Sequence, residues 1–342
     1  MRVLVTGAAG FLGQHVVAAL RARGHTVRAL VRQASRVEAL GWPAEVELFR
    51  ADLRAPGDLA PAFSGVDAVV HLAAAVTGGE DAQFAAGVVG TEKLLAAMAA
   101  SGVRRLVFAS SFSVYDWSRV RRRLDELSPV LEAPMLYERD GYAVAKTWQE
   151  RVVRRAAERH GLDLTVLRPG FIWGRDHGYL ACLGQAIGKN HLTIGPWTRL
   201  PLTHVENCAD VFALAVDCPG ASGQILNVVD GDDVRTWRYL GDFLRGTGTP
   251  WRRVPVPYLA FRGVVALAYR TIKWIFDGKG KLPGLLVPCR FEARFKPVRF
   301  PNAKLRAALG WTPRLSYEEC LERTYPPAAP APVSSASAPA VG

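Results

Sequence analysis

Tyr142 and Lys146 stand four residues apart, which on a helix puts both side chains on one face, within reach of the same ligand. A phenol with an ordinary pKa of about 10 is a poor base at neutral pH. A neighbouring ammonium favours the phenolate, and a tyrosine tuned in this way can exchange a proton with a carbinol or carbonyl. Spacing alone is weak evidence, because Tyr269 and Lys273 repeat it. Context separates the two pairs. Ahead of Tyr142 runs Leu106-Val107-Phe108-Ala109-Ser110-Ser111, an apolar strand ending in hydroxyls, and beyond it runs Val166-Leu167-Arg168-Pro169-Gly170. The second pair has neither flank and reads as a chance match on an amphipathic helix.

A second constellation lies at the N-terminus. Gly7-Ala8-Ala9-Gly10-Phe11-Leu12-Gly13 follows an apolar strand and opens a helical pattern. Glycines there permit a tight turn and let the backbone approach a pyrophosphate, whose charge then meets the positive end of the helix. This is the context of a dinucleotide-binding loop. The end of the second strand sorts the cofactors: an acid there holds a ribose hydroxyl, whereas an arginine suits a 2′-phosphate. The chain reads Arg28-Ala29-Leu30-Val31-Arg32, without an acid. NADP(H) is favoured over NAD(H), with Arg32 as the phosphate partner; the alternative is that Arg32 is a solvated surface charge.

The elements that must position these residues alternate in the first 170 positions. Short β-branched runs at 3–6, 26–31, 46–49, 68–72, 105–109 and 164–167 alternate with helical patterns at 11–23, 81–101 and 142–160. The expected fold is α/β: a Rossmann, doubly wound parallel sheet over residues 1–170, with segments near 203–230 returning to it. Residues 171–325 are expected to form mainly a smaller α+β substrate-binding cap, and 326–342, rich in Pro, Ala and Ser, a disordered tail.

The order of these motifs resembles the extended short-chain dehydrogenase/reductase superfamily, the NAD-dependent epimerase/dehydratase group, from Met1 to about Thr324. Asp52-Leu53, His71-Leu72-Ala73-Ala74, the Ser-Ser-x-x-Val-Tyr element at 110–115 and Leu309-Gly310-Trp311 belong to the likeness. The resemblance implies that Ser111 bonds the reacting oxygen, Tyr142 is the acid/base, and Lys146 holds the nicotinamide ribose. It also implies that Asp52 and Leu53 border the adenine, that Ala73 lines the cleft, and that the segment after Pro169 meets the carboxamide. Three positions depart from it. Gly87 replaces an Asn, Trp173-Gly174-Arg175 replaces Tyr-Gly-Pro, and Leu200 stands where sugar-nucleotide epimerases carry an arginine for the diphosphate, with Arg199 one residue away.

Thr203-His204-Val205-Glu206-Asn207 and the entry Pro255-Val256-Pro257 into an apolar helix look more like the 3β-hydroxysteroid dehydrogenase branch. The implied activity interconverts a secondary alcohol and a ketone by hydride transfer. A nucleotide-sugar epimerase or dehydratase with tightly bound cofactor is the alternative, and a non-catalytic NADP-binding sensor the third reading. Phe171, Trp173, Tyr179 and the segment 258–276 would suit an apolar substrate wall, although such aromatics serve a core equally well.

The 342 residues carry 43 Lys+Arg against 31 Asp+Glu, and the surplus is local. Residues 251–300 hold eleven Lys/Arg against Asp277 and Glu292. This stretch contains the apolar segment 258–276 and suits either a phosphate-bearing substrate or peripheral contact with an anionic membrane. No window offers the roughly 18 uncharged apolar residues of a spanning helix, and no recognised nucleic-acid module is present. Five cysteines in no paired spacing exclude a disulfide scaffold, argue against a metal site and favour a cytoplasmic setting. Apolar positions on 94–98 and 148–157 would allow a homodimer.

Overall fold

The computed structural model describes residues 1–32, 40–75, 78–231, 233–275 and 282–326. The chain runs β1 (Arg2–Thr6), α1 (Phe11–Ala22), β2 (Thr26–Val31), β3 (Glu47–Arg50), β4 (Ala68–His71), α2 (Glu80–Ser101), β5 (Arg105–Ala109), α3 (Gly141–His160) and β6 (Asp163–Pro169). It continues through β7 (Phe171–Trp173), β8 (Gly184–Ile187), β9 (Asn190–Ile194), β10 (Leu202–His204), α4 (Val205–Asp217) and β11 (Ile225–Val228). The last elements are α5 (Thr236–Thr247), β12 (Arg252–Val256), α6 (Tyr258–Ile275), α7 (Pro288–Phe295), α8 (Ala303–Leu309) and α9 (Tyr317–Thr324).

Seven strands form one sheet in the order β11-β6-β5-β4-β1-β2-β3, every neighbouring pair parallel. A parallel sheet covered on both faces is apolar throughout, and β1 shows it. Val3 and Val5 pack on one face with Val16 and Leu20 of α1 and Phe212 and Val216 of α4, while Leu4 packs on the other with Leu94 and Met98 of α2 and Val153 of α3. The strand order reverses direction between β1 and β4, which opens a crevice at their carboxyl ends.

By length and hydropathy α2 could cross a membrane, yet Leu94, Leu95 and Met98 are buried under the sheet. Val153 of α3 is buried in the same cluster, and Val152, Ala156 and Ala157 are partly buried against it. Sequence reading missed the cap's own framework. Short β7 and β10 pair parallel, and β8, β9 and β12 form a separate three-stranded sheet. Trp173 is buried among Tyr239, Tyr317 and His204, so it is core rather than substrate wall. The chain returns to the nucleotide-binding half twice: α4 and β11 join it, and Leu305, Leu309 and Trp311, placed with the cap on sequence grounds, pack in the same core. Phe276 and residues 327–342, most of the expected tail, lie outside the described residues.

Candidate active site

The glycine loop sits at the carboxyl end of β1, where the crevice begins. Gly7 has φ +70°, and a Cβ on it would lie 2.9 Å from the Ala73 nitrogen. A Cβ on Gly13 would lie 2.2 Å from the Gly7 carbonyl oxygen, so α1 can approach the turn this closely only through glycine. Gly10 is the N-cap of α1 and offers no side chain to the first-turn amides, and no side-chain bond caps them. Amides left in that state at a helix N-terminus suit a pyrophosphate, so the loop fits a dinucleotide. Phe11 and Leu12 form the first turn. The Phe11 ring stacks on His177 of the cap, 3.8 Å between centroids and 14° between planes, a partner that no sequence signal indicated.

Beneath the loop, the His71 ring is held between the hydroxyls of Thr6 (2.6 Å) and Thr91 (2.7 Å). Burial, with a smaller contribution from the Lys146 charge, lowers its pKa to about 3, so it is neutral at physiological pH and serves as a spacer. The Gln149 amide donates to the Ala73 carbonyl at 3.1 Å, tying α3 to the cleft wall. Gly87 lies in a π-helical stretch of α2, Ala85–Val89, where a Cβ would meet Ala145 of α3 at 3.6 Å.

At the outer end of the crevice, Arg32 is exposed just beyond β2. Its charge reaches Asp52, but the stronger partner of Asp52 is Arg54, which donates through Nε at 3.0 Å and Nη2 at 2.7 Å. That hydrogen bond holds the Asp52 pKa down to about 2. Arg54 went unremarked in the sequence because it belongs to no motif. Leu53 is buried and packs against Gly90 of α2.

Ser111 follows β5, and its hydroxyl accepts from the Ser113 amide at 3.1 Å. Asp140 caps α3 by accepting from the Ala143 amide, which starts the helix one residue before Tyr142. Tyr142 is half-buried and hydrogen-bonds with Ser111. Its pKa is raised, chiefly by burial; the Ser111 bond opposes that and Asp140 adds to it. Lys146 is buried one turn along, and its Nζ donates to the Ala109 carbonyl at 2.8 Å. Burial lowers its pKa to about 7, and the Glu150 carboxylate pulls it back up. Desolvation therefore outweighs the ammonium's expected lowering of the phenol pKa. Pro169 ends β6, paired with Val228 of β11, and the chain crosses into β7 immediately afterwards.

Behind Lys146 lies a buried ion pair that spacing hinted at only as i, i+4 from Lys146. Arg168 Nε donates to Glu150 Oε2 at 3.0 Å, its Nη2 donates to Oε1, and the Ser110 hydroxyl donates to Oε2. The guanidinium lies 4.7 Å from the Tyr115 ring centroid, and the Tyr115 hydroxyl donates to Asn227 Oδ1 at 2.7 Å. Two cavities of about 310 and 340 Å³ lie elsewhere, both on the cap beside α6 and α7.

A doubly wound sheet whose switch-point crevice joins a glycine turn to a tyrosine, a lysine and a serine defines an NAD(P)-dependent enzyme of the extended short-chain dehydrogenase/reductase type. The chain belongs to the NAD dependent epimerase/dehydratase family, whose model matches residues 3–229. It is 30% identical over 330 residues to the 4-hydroxy-2-methyl-3-oxo-4-farnesyl-3,4-dihydroquinoline-1-oxide ketoreductase of Stigmatella aurantiaca, covering 94% of this chain and 95% of the relative. It is 29% identical over 342 residues to the 3 beta-hydroxysteroid dehydrogenase/Delta 5-->4-isomerase of Mycobacterium tuberculosis, covering 95% and 90%. Among solved structures, the UDP-glucose 4-epimerase of Thermus thermophilus in complex with NAD superposes with a TM-score of 0.68 at 25% identity, over 95% of this chain and 98% of that one.

Proposed function

We propose that the protein interconverts a secondary alcohol and a ketone set in a large apolar frame, with NADP(H) preferred over NAD(H). The observation that carries this choice over sugar-nucleotide chemistry is at Leu200. Where the epimerases carry an arginine for the diphosphate, Leu200 is buried, and neighbouring Arg199 forms a surface ion pair with Asp233. The two enzyme relatives are named for a farnesyl-bearing 3-oxo compound and a 3β-hydroxysteroid, which share that chemistry.

The nicotinamide, when bound, supplies or accepts the hydride. Ser111 donates a hydrogen bond to the substrate oxygen, and Tyr142 gives that oxygen a proton in reduction or takes one in oxidation. Lys146 holds the nicotinamide ribose. Gly7, Gly10, Phe11, Leu12 and Gly13 receive the pyrophosphate, Ala73 lines the cleft, and Asp52 and Leu53 border the adenine. Arg32 meets the 2′-phosphate, while the charge of Arg54 is offset by the Asp52 carboxylate that holds it.

The test is a panel of hydrophobic ketones and UDP-glucose offered with each cofactor. Consumption of one NADPH per alcohol formed supports the reading. UDP-glucose epimerised with no net cofactor turnover would replace it with the epimerase reading, which the match to the NAD-bound epimerase favours. A preference for NAD left unchanged by Arg32→Ala would overturn the cofactor assignment alone.

A further inference from the structure

We infer that α6 docks the protein flat on an anionic membrane surface. This helix is apolar on two faces, and the fold covers only one. On the inner face Val265 is buried, Tyr258 stacks on Phe291 of α7 at 5.5 Å between centroids, and Phe261 packs against the same ring at a tilt, 5.7 Å away. On the outer face Leu259 is 75% exposed, Leu267 68% and Trp274 82%, with Val264 and Ile275 more than half exposed. At 100° per residue, Ala260, Gly263, Leu267 and Trp274 share one line diametrically opposite Val265.

Charge selects the occupant. Arg262, Arg270 and Lys273 are the charged residues of α6, with no acid among them, and they lie on one edge between the two faces. Lys273 sits over the Tyr269 ring at 5.5 Å. Beside this edge a cavity of about 310 Å³ between α6 and α7 is lined by Arg262, Arg270, Leu259 and Phe291. Glu292, the one acid in its lining, pairs with both Arg262 (3.3 Å) and Lys296 (3.0 Å). An anionic bilayer supplies acyl chains for the stripe and phosphates for the arginines, with Trp274 at the depth aromatic side chains favour. A second copy of this chain would set the same cations against each other. The helix lies on the surface rather than spanning it, because its inner face is packed on protein and its edge is charged.

Docking here also places the active site near the bilayer. The Tyr269 hydroxyl donates to Glu138 at 3.3 Å, and Arg290 of α7 donates to the Glu138 and Arg139 carbonyls, in the loop that leads directly into α3 and Tyr142.

Flotation of the full chain with phosphatidylcholine vesicles, with and without phosphatidylglycerol, at low and high salt, tests the inference. The protein should float with the anionic vesicles at low salt, weakly with the neutral ones, and dissociate as salt rises. Arg270→Glu should weaken binding about fivefold or more, the contribution of one cation near an anionic surface. Leu267→Asp and Trp274→Ser should release it, with melting temperature and activity on a water-soluble ketone unchanged. A wild-type protein that ignores anionic vesicles overturns the inference, as does Leu267→Asp binding like the wild type. A dimer in free solution that Leu267→Asp turns into a monomer, with no vesicle binding, assigns the face to a second copy and overturns it too.

Discussion

Arg168→Met isolates the electrostatic support behind the catalytic helix. The Glu150 and Arg168 side chains are 6% and 2% exposed, so their pair is desolvated. Without the guanidinium, the Glu150 carboxylate keeps the Ser110 hydroxyl and the Lys146 charge one turn away. Stranding one partner of a buried pair costs about 3–5 kcal/mol. Methionine is long enough to fill most of the vacated space, so little of that cost is cavity. At about 2.1 cal/mol/K of unfolding entropy per residue, a chain of this size shifts by about 1.4 °C per kcal/mol, so the melting temperature should fall by roughly 4–7 °C. The double variant Glu150→Gln/Arg168→Met removes the stranded carboxylate, and Lys146, the buried charge that remains, can shed its proton near neutral pH, so it should recover most of the loss. Thermal unfolding of the wild type, both single variants and the double variant completes the cycle. If Arg168→Met melts within about 2 °C of the wild type, or the double variant is no better than Arg168→Met, the buried-pair reasoning is refuted. The pH-rate profile is a second readout. Lys146 should titrate higher in Arg168→Met, where Glu150 is unopposed, and lower in Glu150→Gln.

Tyr142→Phe should reduce kcat by about 10²–10⁴ with cofactor affinity unchanged, and a variant with near-normal turnover would remove Tyr142 from acid/base chemistry. In Gly13→Ala the new Cβ meets two backbone oxygens, at 2.2 and 2.6 Å, which no side-chain rotation relieves. Stability should drop by about 1–3 kcal/mol, and fluorescence titration should show NADPH affinity falling about tenfold or more. Lys146 has a folded pKa of about 7 against an ordinary 10.5, so between these values the unfolded chain binds more protons and the lysine's penalty fades as pH rises. Lys146→Met should therefore melt higher than the wild type by its largest margin below pH 7. Differential scanning calorimetry should show that margin shrinking toward pH 10.5.

Much of the nucleotide-binding half was legible in the sequence. The strands 26–31 and 105–109 coincide with β2 and β5, and the helix ends fall within about two residues of those observed, because parallel strands and their crossover helices carry strong periodicity. The cap was poorly legible. Strands β7, β8 and β10 have three or four residues each, too few for alternation to show, and α5, α7, α8 and α9 have 7 to 12 residues. At the site, the glycine loop and the Ser111, Tyr142 and Lys146 set stood out through spacing and order. Arg54, His177 and the Glu150–Arg168 pair did not, since each acquires its meaning from a partner brought near by the fold.

What the sequence determined by itself was the chemistry available: a turn only glycine can make, a phenol and an amine on one helix face, and a basic, apolar stretch near residue 265. What the tertiary structure alone decided was the state of those groups. Burial raises the phenol pKa and lowers the amine's, Trp173 is consumed by the core, and the outer face of α6 is left uncovered. Residue type sets which proton or charge a side chain can carry; desolvation and the charges that packing brings beside it set whether it carries it at a given pH.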